Sequence, residues 1–179
     1  MNKIKISVIM PSLNVSKYIK QCLQSVLNQT LEDIEIICVD GGSTDGTLDI
    51  IQQYVKKDKR VKLIHSDIKS YGYQMNLGIK EACGDYIGIV ETDDYIQSDM
   101  YERLYDVVVG NPEEEIDFVK AGYNQIAECK GKVFCLPFTR DFDKSMLNRV
   151  LDLVEERNMY DLMFVFSNIG FMGFPLMSA

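Results

Sequence analysis

Blocks of consecutive apolar residues alternate along the chain with segments in which apolar residues recur every three or four positions. Ile4 to Met10 (IKISVIM) is rich in β-branched residues and predicts a strand at 4–10, stopped by Pro11. Ser16 opens a predicted helix whose Ile19, Cys22, Leu23, Val26 and Leu27 share one face. Ile34 to Val39 (IEIICV) predicts a second buried strand. The turn GGSTDG follows, with Ser43 or Thr44 placed to cap a helix carrying Leu48, Ile51, Tyr54 and Val55 inward. Val61 to His65 predicts a third strand, and a helix from about Tyr73 to Ala82 stops at Gly84. Tyr86 to Val90 (YIGIV) predicts a fourth strand that runs into Glu91-Thr92-Asp93-Asp94. Ser98 is placed to cap a helix with Met100, Tyr101, Leu104, Val107 and Val108 inward, and Ile116 to Tyr123 predicts a fifth strand.

Strand and helix in strict alternation predict an α/β fold: a mixed, mainly parallel sheet flanked by helices, with 4–10, 34–39, 61–65 and 86–91 as its parallel part. Ligands of such sheets bind beyond the carboxyl ends of the strands. The polar residues gather there: Ser12 and Asn14 after the first strand, Asp40 after the second, Glu91 to Asp94 after the fourth. The last third is less regular. Lys132 to Leu136 predicts a strand, and Leu147, Val150, Leu151 and Val154 mark a helix ending near Asn158. The apolar stretch Leu162 to Met177 is too short for a spanning helix and contains Ser167, Asn168 and Pro175. It reads as core or interface, with a membrane-facing patch as the alternative.

The 179 residues suffice for one domain with a hydrophobic core. The formal net charge of −8, without a basic stripe, argues against nucleic acid as a partner. A diphosphate ligand would then need local positive charge, which a metal ion held by carboxylates supplies. Five cysteines without CxxC spacing, three of them (Cys22, Cys38 and Cys83) in apolar surroundings, predict buried thiols in a reducing compartment. The N-terminus reads as a strand, not a signal peptide.

Glu91 and Asp93, two residues apart in an extended segment, would point the same way, while Asp94 points elsewhere. Converging carboxylates repel unless a cation sits between them, and Mg²⁺ or Mn²⁺ suits oxygen ligands. The competing reading is a solvated, helix-capping turn. Asp40 follows a buried apolar run and needs donors: those of a nucleotide base or ribose, or those of its own GGST loop. Gly72 permits close approach of a ligand to the backbone, and Gln74 and Asn76 offer amides, although the same residues serve equally as a helix start. Gly41, Gly42 and Gly46 do not satisfy GxGxxG, and no GxxxxGK[ST] or GxSxG occurs. His65, the lone histidine, reads as structural.

Two runs, SVIMPSLNVSKYIKQCLQSVLNQTLEDIEIICVDGGSTDGT and YGYQMNLGIKEACGDYIGIVETDDYI, resemble the inverting glycosyltransferase family two over residues 4 to 123. The resemblance implies a GT-A fold, with 1–123 as the nucleotide-sugar-binding core and 124–179 as a partial acceptor-side region. It implies that Pro11 and Ser12 lie against the donor nucleotide and that Asp40 contacts a uridine base. Gly72, Gln74 and Asn76 would flank the donor phosphates and sugar. Glu91, Asp93 and Asp94 match the DxDD cluster that holds Mg²⁺ or Mn²⁺, ribose and diphosphate, with Asp93 as the metal ligand and Glu91 replacing the usual first aspartate. The implied partners are a nucleotide-sugar donor, probed first as UDP-sugar, and a glycan or lipid-linked acceptor. The absence of a signal segment and the odd cysteine count predict a cytoplasmic setting, with contact at the inner face of the membrane as an alternative. The family's catalytic base is an acidic residue after the DxDD cluster, and no motif chooses among Asp141, Asp143, Glu155, Glu156 and Asp161. Two other readings remain: a nucleotidyltransferase, for which the first turn lacks a basic Gly-rich segment, and a non-catalytic nucleotide-sugar-binding module. Sugar transfer or slow donor hydrolysis separates enzyme from binder.

Overall fold

The computed structural model of the protein describes residues 3–114, 116–121, 124–129, 132–137 and 170–172. The elements are β1 (Ile6–Ser12), α1 (Ile19–Leu27), β2 (Ile34–Asp40), α2 (Thr47–Lys57), β3 (Val61–His65), α3 (Tyr71–Glu81), β4 (Tyr86–Ile89), α4 (Met100–Val109), β5 (Phe118–Lys120), β6 (Asn124–Cys129), β7 (Lys132–Pro137) and β8 (Gly170–Met172). Six strands form one sheet in the order β3-β2-β1-β4-β8-β5, and β6 pairs β7 in a separate hairpin. The pairs β1–β2, β1–β4 and β2–β3 are parallel, as the alternation of strand and helix predicts. β8 runs antiparallel to both its neighbours. Its insertion beside β4 had no counterpart in the sequence reading. The predicted helix near 147–158, and the carboxylates Asp141, Asp143, Glu155, Glu156 and Asp161, lie outside the described residues, as does Leu162 to Met177 apart from β8.

Every residue of β1 and β2 is buried, because both faces of the sheet are covered. One face carries Ile6, Val8 and Met10 of β1 into a core shared with Ile19, Cys22, Leu23 and Val26 of α1, Ile51 of α2, and Tyr101 and Leu104 of α4. The opposite face packs Ile9, Ile37, Val39 and Ile87 against Met75 of α3. Gly78 lets α3 lie close to the sheet, since a Cβ there would stand 2.5 Å from Ile9 Cγ2.

Several boundaries differ from the sequence reading, each for a local reason. β1 continues through Pro11 and Ser12. Pro11 falls after Ile9, the last residue of β1 paired with β4, so its missing N–H breaks no rung on that side. Its carbonyl instead accepts the Thr92 hydroxyl at 2.9 Å. α1 begins at Ile19, not at Ser16, whose N–H is held by Asp45 Oδ2 at 2.9 Å. Neither Ser43 nor Thr44 caps α2: its N-cap is Gly46, and Asp45 Oδ1 receives the Thr47 N–H and hydroxyl. α4 begins after Asp99 with no side-chain cap, so Ser98 does not serve as one. Cys22 and Cys38 are buried free thiols, pushed up by burial, Cys38 to about 12. Cys83 is exposed instead, because it lies in the turn between α3 and β4.

At the amino ends of the strands, Glu35 places a carboxylate inside an apolar strand. Its Oε1 accepts the Ser7 hydroxyl and the Cys83 N–H, the latter at 2.7 Å, and Lys62 Nζ lies 2.7 Å from Oε2. The Ser7 Oγ also accepts the Gly84 N–H at 2.8 Å. Burial alone would push the Glu35 carboxyl up, but Lys62, Ser7 and the Cys83 N–H together hold it below its ordinary value. A carboxyl lowered in the folded state stabilises the fold above its unfolded pKa, and that contribution is lost as pH falls through the lowered value. Glu35→Ala leaves the Ser7 hydroxyl without its acceptor and the Cys83 N–H with only its longer bond to Ser7 Oγ at 3.1 Å, so it should cost about 2–4 kcal/mol in urea unfolding at neutral pH. The gap between parent and variant should close as pH drops below 4.5, the ordinary value of this group. A gap that is absent at neutral pH, or that widens in acid, contradicts this role.

Candidate functional site

The carboxyl ends of β1, β2 and β4 bring three segments together. Ser12 and Asp40 are register partners at the ends of β1 and β2, and the Gly41 N–H donates to the Ser12 carbonyl at 2.8 Å. Gln74, near the start of α3, is buried, and its Oε1 accepts the Ser12 N–H at 3.0 Å. A Cβ at residue 41 would stand 2.4 Å from Gln74 Nε2, so the amide can lie against this turn only because Gly41 has no side chain. Of the polar residues predicted here, Ser12, Asp40 and Gln74 thus form one junction. Gly72 is exposed, and a Cβ there would meet nothing within 4 Å, so the protein's own packing does not require glycine. Asn76 is also exposed, further along α3.

The loops after β1 and β2 are tied to each other. Asn14 sits at a φ of 54°, its N–H donates to Ser43 Oγ, and its Oδ1 accepts the Thr44 N–H, both at 2.9 Å. The Val15 N–H donates to Thr47 Oγ1 at 2.9 Å. Asp45 joins Ser16 to Thr47, and the Thr47 hydroxyl followed by the Ser16 N–H hold its carboxyl well below the usual carboxylate range. These loops therefore form a fixed rim around the end of β2.

Asp40 is 1% exposed. Its Oδ2 accepts the Gly42 and Ser43 N–H groups, each at 2.9 Å. Its Oδ1 is buried without a hydrogen-bond partner among the described residues. The two readings of Asp40 are thus not exclusive: one oxygen organises the loop, and the other is spare. Buried acceptors are almost always satisfied, so a spare oxygen at a strand end calls for a donor beyond the described residues, such as a water or a ligand.

A cleft of about 130 Å³ opens beside this junction, lined by Pro11, Ser12, Leu13, Lys69, Tyr71 and Gln74. Lys69 was missed in the sequence; the available signal was a lone cation between β3 and α3 in an acidic chain. Tyr71 reaches from the cleft to the acidic cluster, its hydroxyl donating to Glu91 Oε1 at 3.3 Å. Burial and the Glu91 charge push the Tyr71 phenol up to about 12. A larger cleft of about 310 Å³, lined by Leu27, Gln29, Glu32 and Arg60, lies away from these residues, and Arg60 there is committed to Asp58 and the Leu27 carbonyl.

The acidic cluster is a turn rather than the extended segment assumed for Glu91 and Asp93. β4 ends at Ile89, and the Asp94 N–H donates to the Glu91 carbonyl at 3.0 Å. Thr92 is drawn inward to Pro11, Asp93 is exposed, and Glu91 and Asp94 are half-buried. Burial pushes the Glu91 carboxyl up, with Asp93 and Asp94 adding to it against the Tyr71 hydroxyl; burial and then Asp93 push Asp94 up. Among the described residues no three histidine, cysteine or acidic side chains converge as a metal cage. This donor set, hard oxygen and short of ligands, fits a divalent ion that takes its remaining ligands from phosphate oxygens and water, as Mg²⁺ commonly does.

Known proteins resemble this chain in sequence and fold. The chain is 41% identical over 118 residues to the uncharacterized glycosyltransferase EpsJ of Bacillus subtilis, covering 66% of this chain and 33% of that protein. It is 38% identical over 138 residues to the glycosyltransferase GlyG of Streptococcus pneumoniae, covering 76% of this chain and 45% of that protein. The chain thus spans less than half the length of these relatives. The crystal structure of S. aureus TarS 1-349 in complex with UDP superposes with a TM-score of 0.57 at 30% identity, covering 60% of this chain and 33% of that one. The family description "Glycosyl transferase family 2" matches residues 7–126, from the start of β1 into the β6–β7 hairpin. The protein belongs to glycosyl transferase family 2, and its helix-flanked, mainly parallel sheet is the nucleotide-sugar-binding GT-A fold.

Proposed function

We propose that this chain binds the donor of an inverting glycosyltransferase, which moves a sugar from a UDP-sugar to an acceptor hydroxyl with help from a divalent cation. The observation that carries this reading is the spare Oδ1 of Asp40, buried at the end of β2 beside a cleft that leads through Tyr71 to an acidic turn. A uracil N–H supplies the donor that this oxygen lacks. Pro11 and Ser12 flank the base, and the open backbone at Gly72, with Asn76 beyond it, faces the phosphates and sugar. Asp93 is the main protein ligand of Mg²⁺ or Mn²⁺, while Asp94 and Glu91 hold ribose, diphosphate or metal-bound water. When bound, the cation neutralises the charge of the departing diphosphate. The solved TarS complex with UDP supports uridine as the first base to test.

Residues 1–123 form the donor core in this reading, and 124–179 belong to the acceptor side, which receives a glycan or lipid-linked acceptor. The base that deprotonates the acceptor hydroxyl is an acidic residue of that later region. The setting is the cytoplasm, at the inner face of the membrane, in the service of polysaccharide or cell-envelope synthesis. Among the described residues no helix is long and apolar enough to cross a membrane.

Asp93→Asn nearly preserves shape and removes the charge. In calorimetric titrations Mn²⁺ should strengthen UDP binding to the parent, because metal and nucleotide each supply charge that the other needs. The variant should lose that enhancement and keep its unliganded melting temperature. Equal enhancement by Mn²⁺ in both proteins would make the acidic turn a structural turn only.

Asp40→Asn retains one oxygen for the Gly42 and Ser43 N–H groups and presents NH₂ where Oδ1 stands. UDP affinity should fall about tenfold to a hundredfold, the worth of a charged hydrogen bond of roughly 1.5–3 kcal/mol. Unchanged UDP affinity would remove the base from the end of β2.

A further inference from the structure

We infer that Thr92 is a positioning residue for the acidic turn. Its hydroxyl, bonded to the Pro11 carbonyl, sets the backbone from which Asp93 meets the cation. The inference rests on the donor-site reading above, and it adds the residue that determines whether the acidic cluster can act on metal and nucleotide together.

The β1–β4 ladder ends where it does for a reason written in the sequence. Ile9 pairs with Ile89, and the Ile9 carbonyl accepts the Val90 N–H at 3.1 Å. In a parallel ladder the next rung on this side would join residue 11 to residue 91. It would use the N–H of residue 11 and bring the N–H of residue 92 to the carbonyl of residue 11. Residue 11 is proline and has no N–H, so half of that rung is missing from the start. The Thr92 hydroxyl takes the place of the other half, donating to the Pro11 carbonyl at 2.9 Å. A side chain thus satisfies the carbonyl, and the backbone of 91–94 is released from the sheet to close its own turn, with the Asp94 N–H on the Glu91 carbonyl at 3.0 Å.

The turn is pinned from the core side at a second point. Cys22, fully buried in α1, donates its thiol to the same Glu91 carbonyl at 3.5 Å. With Thr92 drawn into the core, Asp93 is left facing outward and exposed, and Glu91 and Asp94 are half-buried beside it. The Thr92 hydroxyl also joins distant stretches of chain. Pro11 precedes Ser12, whose N–H Gln74 holds at the nucleotide end, and Thr92 precedes Asp93 at the metal end. A carboxylate on a fixed turn meets a metal–diphosphate already in place, whereas one on a loose turn loses binding free energy to ordering.

The test measures UDP affinity of the whole chain by calorimetry, with and without Mn²⁺. The variants are Thr92→Val, which keeps the shape and removes the hydroxyl, Thr92→Ala, which removes it without adding a methyl group, and Thr92→Ser, which keeps it. All titrations are run below the lowest melting temperature of the set. The Mn²⁺ enhancement should fall several-fold, up to about tenfold, in Thr92→Val and Thr92→Ala, the scale of one neutral hydrogen bond. Thr92→Ser should keep most of it. The end of β1 is held independently by β2 and Gln74, so metal-free UDP affinity should change less than about twofold. On an Asp93→Asn background Thr92→Val should have no further effect on UDP binding in Mn²⁺, because the hydroxyl acts through Asp93. Glu35→Ala destabilises the fold from the other end of the sheet and should keep the enhancement, which separates lost position from lost stability. A Thr92→Val protein with the parent's enhancement overturns the inference and leaves the donor-site reading standing. So does an equal loss with and without Mn²⁺, a Thr92→Ser protein as weak as Thr92→Val, or the same loss on the Asp93→Asn background. A parent whose UDP binding does not respond to Mn²⁺ overturns the metal-assisted donor reading, and the inference with it.

Discussion

A buried carboxylate has to find hydrogen-bond donors, and Asp40 finds them on one side only. Two N–H groups of the β2 loop hold Oδ2, so the loop takes its shape from the side chain at the strand end. The rest of the site follows from that constraint. The loop turns sharply at Gly41 and Gly42, the turn admits the Gln74 amide, and Gln74 fixes the end of β1. Asn14 and Asp45 then tie the first loop to the second. In the proposed reading, a rigid frame built around a half-satisfied charge is prepared to bind before any ligand arrives, which lowers the ordering cost of binding.

The two ends of the sheet use buried carboxylates in opposite ways. At the amino ends Glu35 is saturated: a hydroxyl, an N–H and an ammonium close every side of it. That arrangement joins β1, β2, β3 and the turn before β4. At the carboxyl ends Asp40 is left incomplete, and Glu91 and Asp94 are crowded with Asp93. Saturation favours a stable fold, and incompleteness favours a ligand. The division places the two demands about a strand length apart, so a change at one end need not disturb the other.

What the sequence made legible follows the range of the interactions involved. β1 and β2 were readable because strands covered on both faces are mostly apolar, a local signal, while β3 at the sheet edge was readable from Val61, Leu63 and Ile64 despite its exposed Lys62 and His65. Helix faces were readable for the same reason. Helix starts were misplaced because the groups that decide them come from another loop, as when Asp45 holds the Ser16 N–H. Glu35 stood visible as a charge inside an apolar run, but its partners are 27 to 48 residues away. Asp40, Ser12 and Gln74 were named in the sequence, yet their junction needed the fold. The acidic run was legible as a cluster and not as a turn, because Thr92 bonds to Pro11 across 81 residues. The family resemblance is what placed the proposed donor site, and the carboxylates it left open for the acceptor side lie outside the described part of the chain.

β8 has a consequence for the order in which the chain is assembled. The parallel strands β3, β2, β1 and β4 are complete once residue 89 has been made, and their parallel pairings are all with one another. Among the described residues, β4 nonetheless has an edge that is filled only by Gly170 to Met172, and β5 reaches the sheet only through that same strand. During synthesis from the N-terminus, β4 therefore presents unpaired backbone groups while some eighty further residues are added, at the order of 10 residues per second. An open strand edge is a template for wrong pairing. A nascent chain of this protein is most exposed to misassembly in the seconds between the emergence of β4 and that of β8.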